Sequence, residues 1–527
     1  MSSPVGGRLE SAPTRPVTDR GDRRWLVLLV LAAAAVHAVV VARTAMTARD
    51  GVGFARTALQ LGDPTSTASE KTPRPTPFDV LRQPGHPPGY PAALLLASTV
   101  THGDTTQDRL LLAGQLVSAI AGTLLVVPLY WLGRTLFGQP AGFAGALLFT
   151  VLPVAARYTS DVVTEGLYLL LLATALLLGT RAVRKPTVGG FLLCGLSAGA
   201  AYLVRPEGAL AAAAVGAVVV LLAACRRQPV WASAGRLAAL TVGFLLVTGW
   251  YMAVIGGLTN KPSVGGILGG FQVRQLLQPT AAAAPAGPAV FASWQAGGLA
   301  EAVKELAKEG SKSFHYVPPA FALLGLFVTA RRLRADSWLL VPLAFVGLML
   351  PVLIALGLKE GYISERHTLS VVLVLCPFAA AGFQAVGRWA GRPWVGWVLF
   401  TAVVVSCLPL LSKPLHRDRL GHKLAGEYLA KHAHSDDIII DPWDWAAFYS
   451  GRTLKGIPDD PKAAAGRSRW AVIEPKDMER SEKSKPRLQA ARDVMNDGKN
   501  PPAVAFQWPE GVPLEEAKVV LYRQTVK

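Results

Sequence analysis

Apolar residues in this chain gather into long runs divided by short polar breaks, with little of the alternation that marks a half-buried sheet. Most runs hold roughly 17–25 residues, the length a helix needs to cross a bilayer. Eleven are expected as spans, at about 25–42, 109–133, 140–156, 162–180, 188–204, 207–224, 236–256, 315–330, 337–357, 367–386 and 394–412. The run at 89–100 is too short to cross and reads as re-entrant or interfacial. The pair at 188–224 can also be read as one helix broken at Arg205-Pro206. The first run follows an Arg-rich tail over residues 1–24. No small-residue cleavage site separates the two, so the run is taken as a retained helix rather than a signal peptide.

Basic residues set the expected orientation. With the N-terminal tail on the cytoplasmic side, the inner loops collect Arg134, the group Arg181, Arg184 and Lys185, and Arg226, Arg227 and Arg236. They also collect Arg331, Arg332, Arg334, Arg388 and Arg392, whereas the short outer loops hold only Arg157, Arg205, Lys359 and Arg366. Such a bias is the positive-inside pattern. It places two long loops outside, at 43–108 and 257–314, the second with an amphipathic helix near Glu301–Lys308. An odd number of spans also puts residues 413–527 outside. There the pattern changes to a helix at about 417–433, then the run Ile438-Ile439-Ile440, then strand-like stretches at Trp470–Ile473 and Val519–Tyr522. The expected architecture is a polytopic α-helical membrane domain over 25–412 followed by a small extracytoplasmic α/β domain. No internal repeat is evident.

Composition agrees: 51% of residues are hydrophobic and 17% charged, too apolar a balance for an ordinary soluble protein. A net charge of +18 would suit a nucleic-acid partner, but the inner loops already account for much of it, so none is expected. The four cysteines, Cys194, Cys225, Cys376 and Cys407, sit in or beside apolar runs without metal spacing. They support neither a disulfide framework nor a zinc site.

The orientation rests on inner-loop residues, yet it also sorts groups that did not enter it. Asp50, His86, Asp161, Glu165, Arg205, Glu207, Tyr362, Glu365, Arg366 and His367 all fall at outer ends of spans. Ionisable groups at membrane depth are costly and usually face a cavity or each other. Each also has an ordinary reading. Asp50 suits a helix start, and Asp161 or Glu165 suits an N-cap or first-turn position. His86, between turn residues, suits an exposed loop; Arg205 suits a snorkelling side chain, and Arg366 a local pair with Glu365. Together on one side they describe a polar pocket, half of it supplied by the 43–108 loop.

These residues also sit in stretches with a familiar order. An acidic residue soon after the first span is followed by HPPGYP (86–91), TSDVVTEGLYLLLL (159–172), YLVRPEG (202–208) and YISERHTLSVVLVLCPFAAAGF (362–383). Residues 25–412 thus resemble the bacterial polytopic glycosyltransferases of the GT-C fold, relatives of protein O-mannosyltransferases and lipid A aminoarabinose transferases. The segment AGEYLAKHAHSDDIIIDPWDWAAFYSG (425–451) resembles the extracytoplasmic domain often appended to them. The resemblance implies transfer of a sugar from a polyprenyl-phosphate donor to an acceptor on the outer face of the cytoplasmic membrane. It implies Asp50 as base or acceptor-orienting group, with Glu165 or the nearby Asp161 as second acidic residue. His86, Arg205, Arg366 and His367 would hold the donor phosphate, and Tyr90, Glu207 and Tyr362 would line the pocket. Many relatives pair the first acidic residue with another, whereas Asp50 stands between Arg49 and Gly51, which argues against metal binding there.

The chemistry fits these residue types independently. Arg or protonated His stabilises charge developing on a leaving phosphate, and a carboxylate takes the proton of the incoming hydroxyl. One base with direct attack predicts inversion at the anomeric carbon. A divalent metal could neutralise the phosphate, but oxygen ligands are too scattered to name a site. The rival reading is a secondary transporter or flippase of a lipid-linked or anionic substrate, which predicts charges near mid-membrane and an internal repeat.

Overall fold

The computed structural model describes residues 19–63, 76–83, 85–261, 296–452, 467–478, 486–498 and 500–525. Most of the N-terminal tail, the Pro/Thr/Ser-rich part of the first loop and most of the 257–314 loop lie outside them. The chain enters through α1 (Asp19–Ala42) and then forms α2 (Arg49–Gly62), α3 (Pro77–Arg82) and α4 (Gly89–Ser98). Next come α5 (Thr106–Phe137), α6 (Gln139–Val151), α7 (Pro153–Tyr158), α8 (Glu165–Arg184), α9 (Val188–Val204), α10 (Ala209–Ala224) and α11 (Val230–Ile255). The membrane part closes with α12 (Ala296–Ser313), α13 (Pro318–Ala330), α14 (Leu340–Glu360), α15 (Leu369–Trp389) and α16 (Pro393–Leu411).

Eight of these helices, counted with the short turns leading into them, are long and apolar enough to cross a membrane, so the protein is multi-pass. The pair α12–α13, bent by 101°, would make a ninth. The other expected spans are present as shorter apolar helices, with 13 residues in α6, 17 in α9 and 13 in α13. Local chemistry explains one of them. Pro153 excludes a helical conformation for the residue before it, and Leu152 is extended at ψ 122°, so the expected span at 140–156 is divided into α6 and α7. The stretch at 89–100 is a 10-residue helix, too short to cross. At 188–224 the chain makes two helices, α9 and α10, both packed on α8. The reversal between them is tight: a Cβ on Gly208 would lie 2.4 Å from the Ala201 carbonyl carbon.

α15 is the most enclosed span, with 83% of its apolar stretch buried, against 22% for α1. Without a hydrophobic drive between helices in lipid, small residues that let backbones approach closely decide the packing. The α13–α15 contact shows this reciprocally: a Cβ on Gly325 would meet the Phe378 carbonyl oxygen at 1.9 Å, and one on Gly382 would meet that of Phe321 at 1.9 Å. Beside it the Phe321 and Phe383 rings stack with centroids 3.8 Å apart.

After α16 the chain forms α17 (Leu420–His432) and a four-stranded sheet of β1 (Ile438–Ile440), β2 (Ser468–Ile473), β3 (Ala503–Trp508) and β4 (Val519–Thr525). The order is β1-β2-β4-β3, with β1 parallel to β2 and the other neighbours antiparallel. The isoleucine run of β1 is wholly buried, as its composition implies, and the α/β character of this small domain is as expected. It joins the membrane part through backbone hydrogen bonds from Ala45 N to Leu415 O at 3.1 Å and from Leu415 N to Arg43 O at 3.2 Å. Arg56 of α2 pairs with Asp444 at 3.2 Å, and Arg49 lies over the Trp443 ring at 5.2 Å.

A Gly382→Val substitution should lower stability by about 1–3 kcal/mol through overpacking, read as a fall in thermal unfolding midpoint of the detergent-purified protein. An unchanged midpoint would show that the α13–α15 contact does not constrain the fold.

Candidate active site

Four segments that are remote in sequence meet at one end of the helix bundle. Glu165 opens the first turn of α8 and is 1% exposed. Arg205 caps the end of α9 in an extended conformation, φ −147° and ψ 133°, which its place before Pro206 requires. Arg366 and His367 lie in the turn Glu365–Thr368 leading into α15, and Asp50 lies in the first turn of α2.

Glu165 Oε1 is shared between two guanidinium groups, accepting from Arg205 at 2.5 Å and lying 2.9 Å from Arg366 Nε. Arg366 also pairs with Asp50 through its terminal nitrogen. Arg205 reaches Glu207 at 3.3 Å, and Lys261 reaches the same carboxylate at 3.4 Å. Three cations and three carboxylates therefore form one continuous set. Their exposure is graded, from 1% for the Glu165 side chain to 20% for Arg366 and 37% for Asp50. Burial pushes the Asp50 carboxyl up, but Arg366, aided by His86 and Arg205, brings it below the usual carboxylate range.

Glu165, Arg205, Glu207, Arg366, His367 and Ser370 border a small cavity of about 10 Å³, roughly the room one water molecule needs. The Arg366 Nε lacks hydrogen-bond geometry to any acceptor among the described residues, as do the hydroxyls of Tyr168 and Ser370 beside the same cavity. Buried donors without acceptors are costly. Arg366 Nε is still ion-paired with Glu165, so the two hydroxyls are the groups here that suit an added acceptor oxygen.

The other expected residues divide. His86 stands against Phe54, ring centroids 4.6 Å apart, near enough to act on the charge of Asp50. His367 borders the cavity, and its Nδ1 accepts from Ser364 N at 3.3 Å. Tyr90 makes no hydrogen bond to the charge cluster: its hydroxyl donates to the Gly114 carbonyl at 3.1 Å and meets Ser118 at 2.9 Å, joining α4 to α5. Tyr362 is 59% exposed and 6.4 Å from the His367 ring. Asp161 is buried and otherwise engaged. It accepts from Ala48 N at 3.3 Å, Val162 N at 2.7 Å and His416 Nε2 at 2.7 Å, tying the start of α2 to the segment after α16. Glu365 pairs with Lys312 of α12 at 2.8 Å rather than with Arg366.

Lys261 escaped the sequence reading because only short outer loops entered the charge comparison. Its signal was present: a lone lysine a few residues beyond the apolar run of α11. Tyr168 and Ser370 were hidden inside apolar runs. Among the described residues no three His, Cys, Asp or Glu side chains come together to hold a metal ion, and the site carboxylates face guanidinium and ammonium groups instead.

Residues 85–252 match the family described as dolichyl-phosphate-mannose-protein mannosyltransferase. That segment contains His86, Glu165, Arg205 and Glu207. No curated protein matches the sequence. The structure is similar to that of ArnT from Cupriavidus metallidurans bound to undecaprenyl phosphate, with 14% identity and a TM-score of 0.58 over 95% of this chain and 98% of that one. It is also similar to the oligosaccharyltransferase of Archaeoglobus fulgidus in the apo form, with 11% identity and a TM-score of 0.52 over 87% of this chain and 70% of that one. The fold is that of the GT-C membrane glycosyltransferases.

Removing the Asp161 carboxylate, which ties the start of α2 to His416, should separate structure from chemistry. Asp161→Ala should cost on the order of 3 kcal/mol, since it leaves buried donors unpaired. Hydrogen exchange should rise in residues 43–50 and 413–420. Unchanged exchange there would mean that Asp161 does not join the two segments.

Proposed function

We propose that this membrane protein transfers a sugar from a polyprenyl-phosphate donor to an acceptor hydroxyl on the outer face of the cytoplasmic membrane. Its N-terminus would be cytoplasmic and the domain formed by residues 413–527 extracytoplasmic. The observation that carries this reading is Arg366, held between a half-exposed carboxylate and a buried one beside a cavity with unpaired donors. The family match over 85–252 and a shared fold with a structure that contains undecaprenyl phosphate support the same donor class.

Without ligand, the cations are balanced by carboxylates. An entering donor phosphate would compete for Arg366, Arg205 and Lys261. Asp50 is the carboxylate most easily displaced, being tied to Arg366 and more exposed than Glu165. Freed in this way, it can accept the proton of an acceptor hydroxyl. The hydroxyl oxygen then bonds to the anomeric carbon while the bond from that carbon to the phosphate oxygen breaks. Polyprenyl phosphate leaves with its charge stabilised by the guanidinium groups, an effect available only where donors are already oriented. Glu165 is held between two arginines and is a poor nucleophile, which supports single displacement with inversion. No step is assigned to a metal ion.

Purified wild type mixed with a panel of polyprenyl-phosphate sugars and a membrane extract should release free polyprenyl phosphate, detected by mass spectrometry. Asp50→Asn should reduce release roughly 10²–10⁴-fold, the usual contribution of a general base. Donor-dependent thermal stabilisation without release from any donor would overturn the enzyme reading in favour of binding or transport.

The pH profile tests the role of Arg366 separately. Asp50 must be ionised to act, and in the free enzyme Arg366 holds its carboxyl low, so kcat/KM should fall only below the usual carboxylate range. In Arg366→Gln, burial acts with less opposition, and the acid limb of the residual activity should move to higher pH. An acid limb that stays in place would remove Asp50 from the role of base.

A further inference from the structure

The end of the bundle opposite this site holds a second charged recess. α8 is 20 residues long and carries Glu165 at its first position and Arg184 at its last. At about 1.5 Å per residue the two ends are roughly 30 Å apart, a bilayer core's thickness. Between the far ends of α5, α8 and α9 lies an open cavity of about 780 Å³, bordered by Arg134, Arg181, Arg184 and Lys185 around Trp131. Arg134 is matched by Asp22 at 2.9 Å. Among the described residues, no carboxylate forms an ion pair with Arg181, Arg184 or Lys185. The two arginines lie over aromatic rings instead, Arg181 at 5.3 Å from the Trp131 centroid and Arg184 at 5.0 Å from that of Trp338. Both arginines are exposed, and contact with a ring favours one orientation of each guanidinium.

Trp131 also borders a second cavity of about 700 Å³, whose other walls are Leu26, Val27, Val30 and Leu31 of α1, with Asp22 and Arg23 at the polar end. The recess with the three unmatched cations and the apolar groove along α1 therefore share Trp131 as a common wall. This combination fits an amphiphile. A free phosphate would leave the apolar half unused, and a zwitterionic headgroup would bring its own cation against the three already there.

We propose that this recess binds an anionic phospholipid of the leaflet opposite the active site, its phosphates on Arg181, Arg184 and Lys185 and an acyl chain along α1. A two-phosphate headgroup of the diphosphatidylglycerol type matches three unpaired cations more closely than a singly charged one. The inference stands apart from the sugar-transfer reading, since no residue is shared between the two sites.

The test uses the full-length protein in detergent, with native mass spectrometry and thermal unfolding in the presence of diphosphatidylglycerol, phosphatidylcholine or inorganic pyrophosphate. Wild type should retain diphosphatidylglycerol at least tenfold more strongly than phosphatidylcholine, and pyrophosphate at matched phosphate concentration should leave the unfolding midpoint unchanged. The preference should disappear in Arg181→Gln/Arg184→Gln. Lys185→Gln, at an exposed position easily changed without loss of fold, should weaken it about threefold. Equal retention of the two lipids by wild type would overturn the proposal, as would a preference unchanged in the variants. Stabilisation by pyrophosphate equal to that by the lipid would overturn it in favour of a soluble-anion site.

Discussion

Buried charge at the end of a membrane bundle is stable only where opposite charge meets it at close range, and Arg366 is where this protein meets that demand. Its guanidinium touches Asp50 from the first loop and Glu165 from α8, while Glu165 is also held by Arg205. Breaking such a pair on one side leaves an uncompensated charge, which costs far more than the pair contributes. The four segments are therefore held to one another by the residues that would perform the chemistry. The same bonds that fix the site would have to yield when a phosphate enters, so binding and rearrangement of the cluster are a single event.

Beneath this cluster the framework is set by shape. α15 brings Arg366 and His367 to the site at its leading turn, and it is positioned by backbone contacts at Gly325 and Gly382 that admit no side chain. α8 and α9 pack on one another and so place Glu165 and Arg205 at adjacent helix ends, and the tight reversal at Gly208 then turns the chain into α10. Small residues thus do the positioning and long charged ones span the remaining distance.

The sequence made the membrane class readable because a bilayer imposes one length scale on every span, and the isoleucine run of β1 was readable for a similar reason of complete burial. β3 was not: its pattern is that of a half-exposed edge strand, with Val504 at 43% exposure, and its place depends on β4. Within the site, the order of charged residues along the chain placed Asp50, Glu165, Arg205 and Arg366 on one side. Sidedness carries no information on direction, however. It could not show that Tyr90 turns to Ser118, that Glu365 turns to Lys312, or that Asp161 serves the start of α2 and His416. Those partners lie up to hundreds of residues away, and only the packed helices decide between them.

The Asp161–His416 clasp and the strand-like pairing of Leu415 with Arg43 and Ala45 bind the beginning of the chain to a segment that follows the last span. α2, with Asp50 in its first turn, is thereby anchored on residues made after every membrane helix has been synthesised. An unfinished chain can insert its early spans and still lack the support that sets Asp50 against Arg366. During biosynthesis, competence would arrive last and all at once, so a growing chain in the membrane would carry the charged groups without being able to use them.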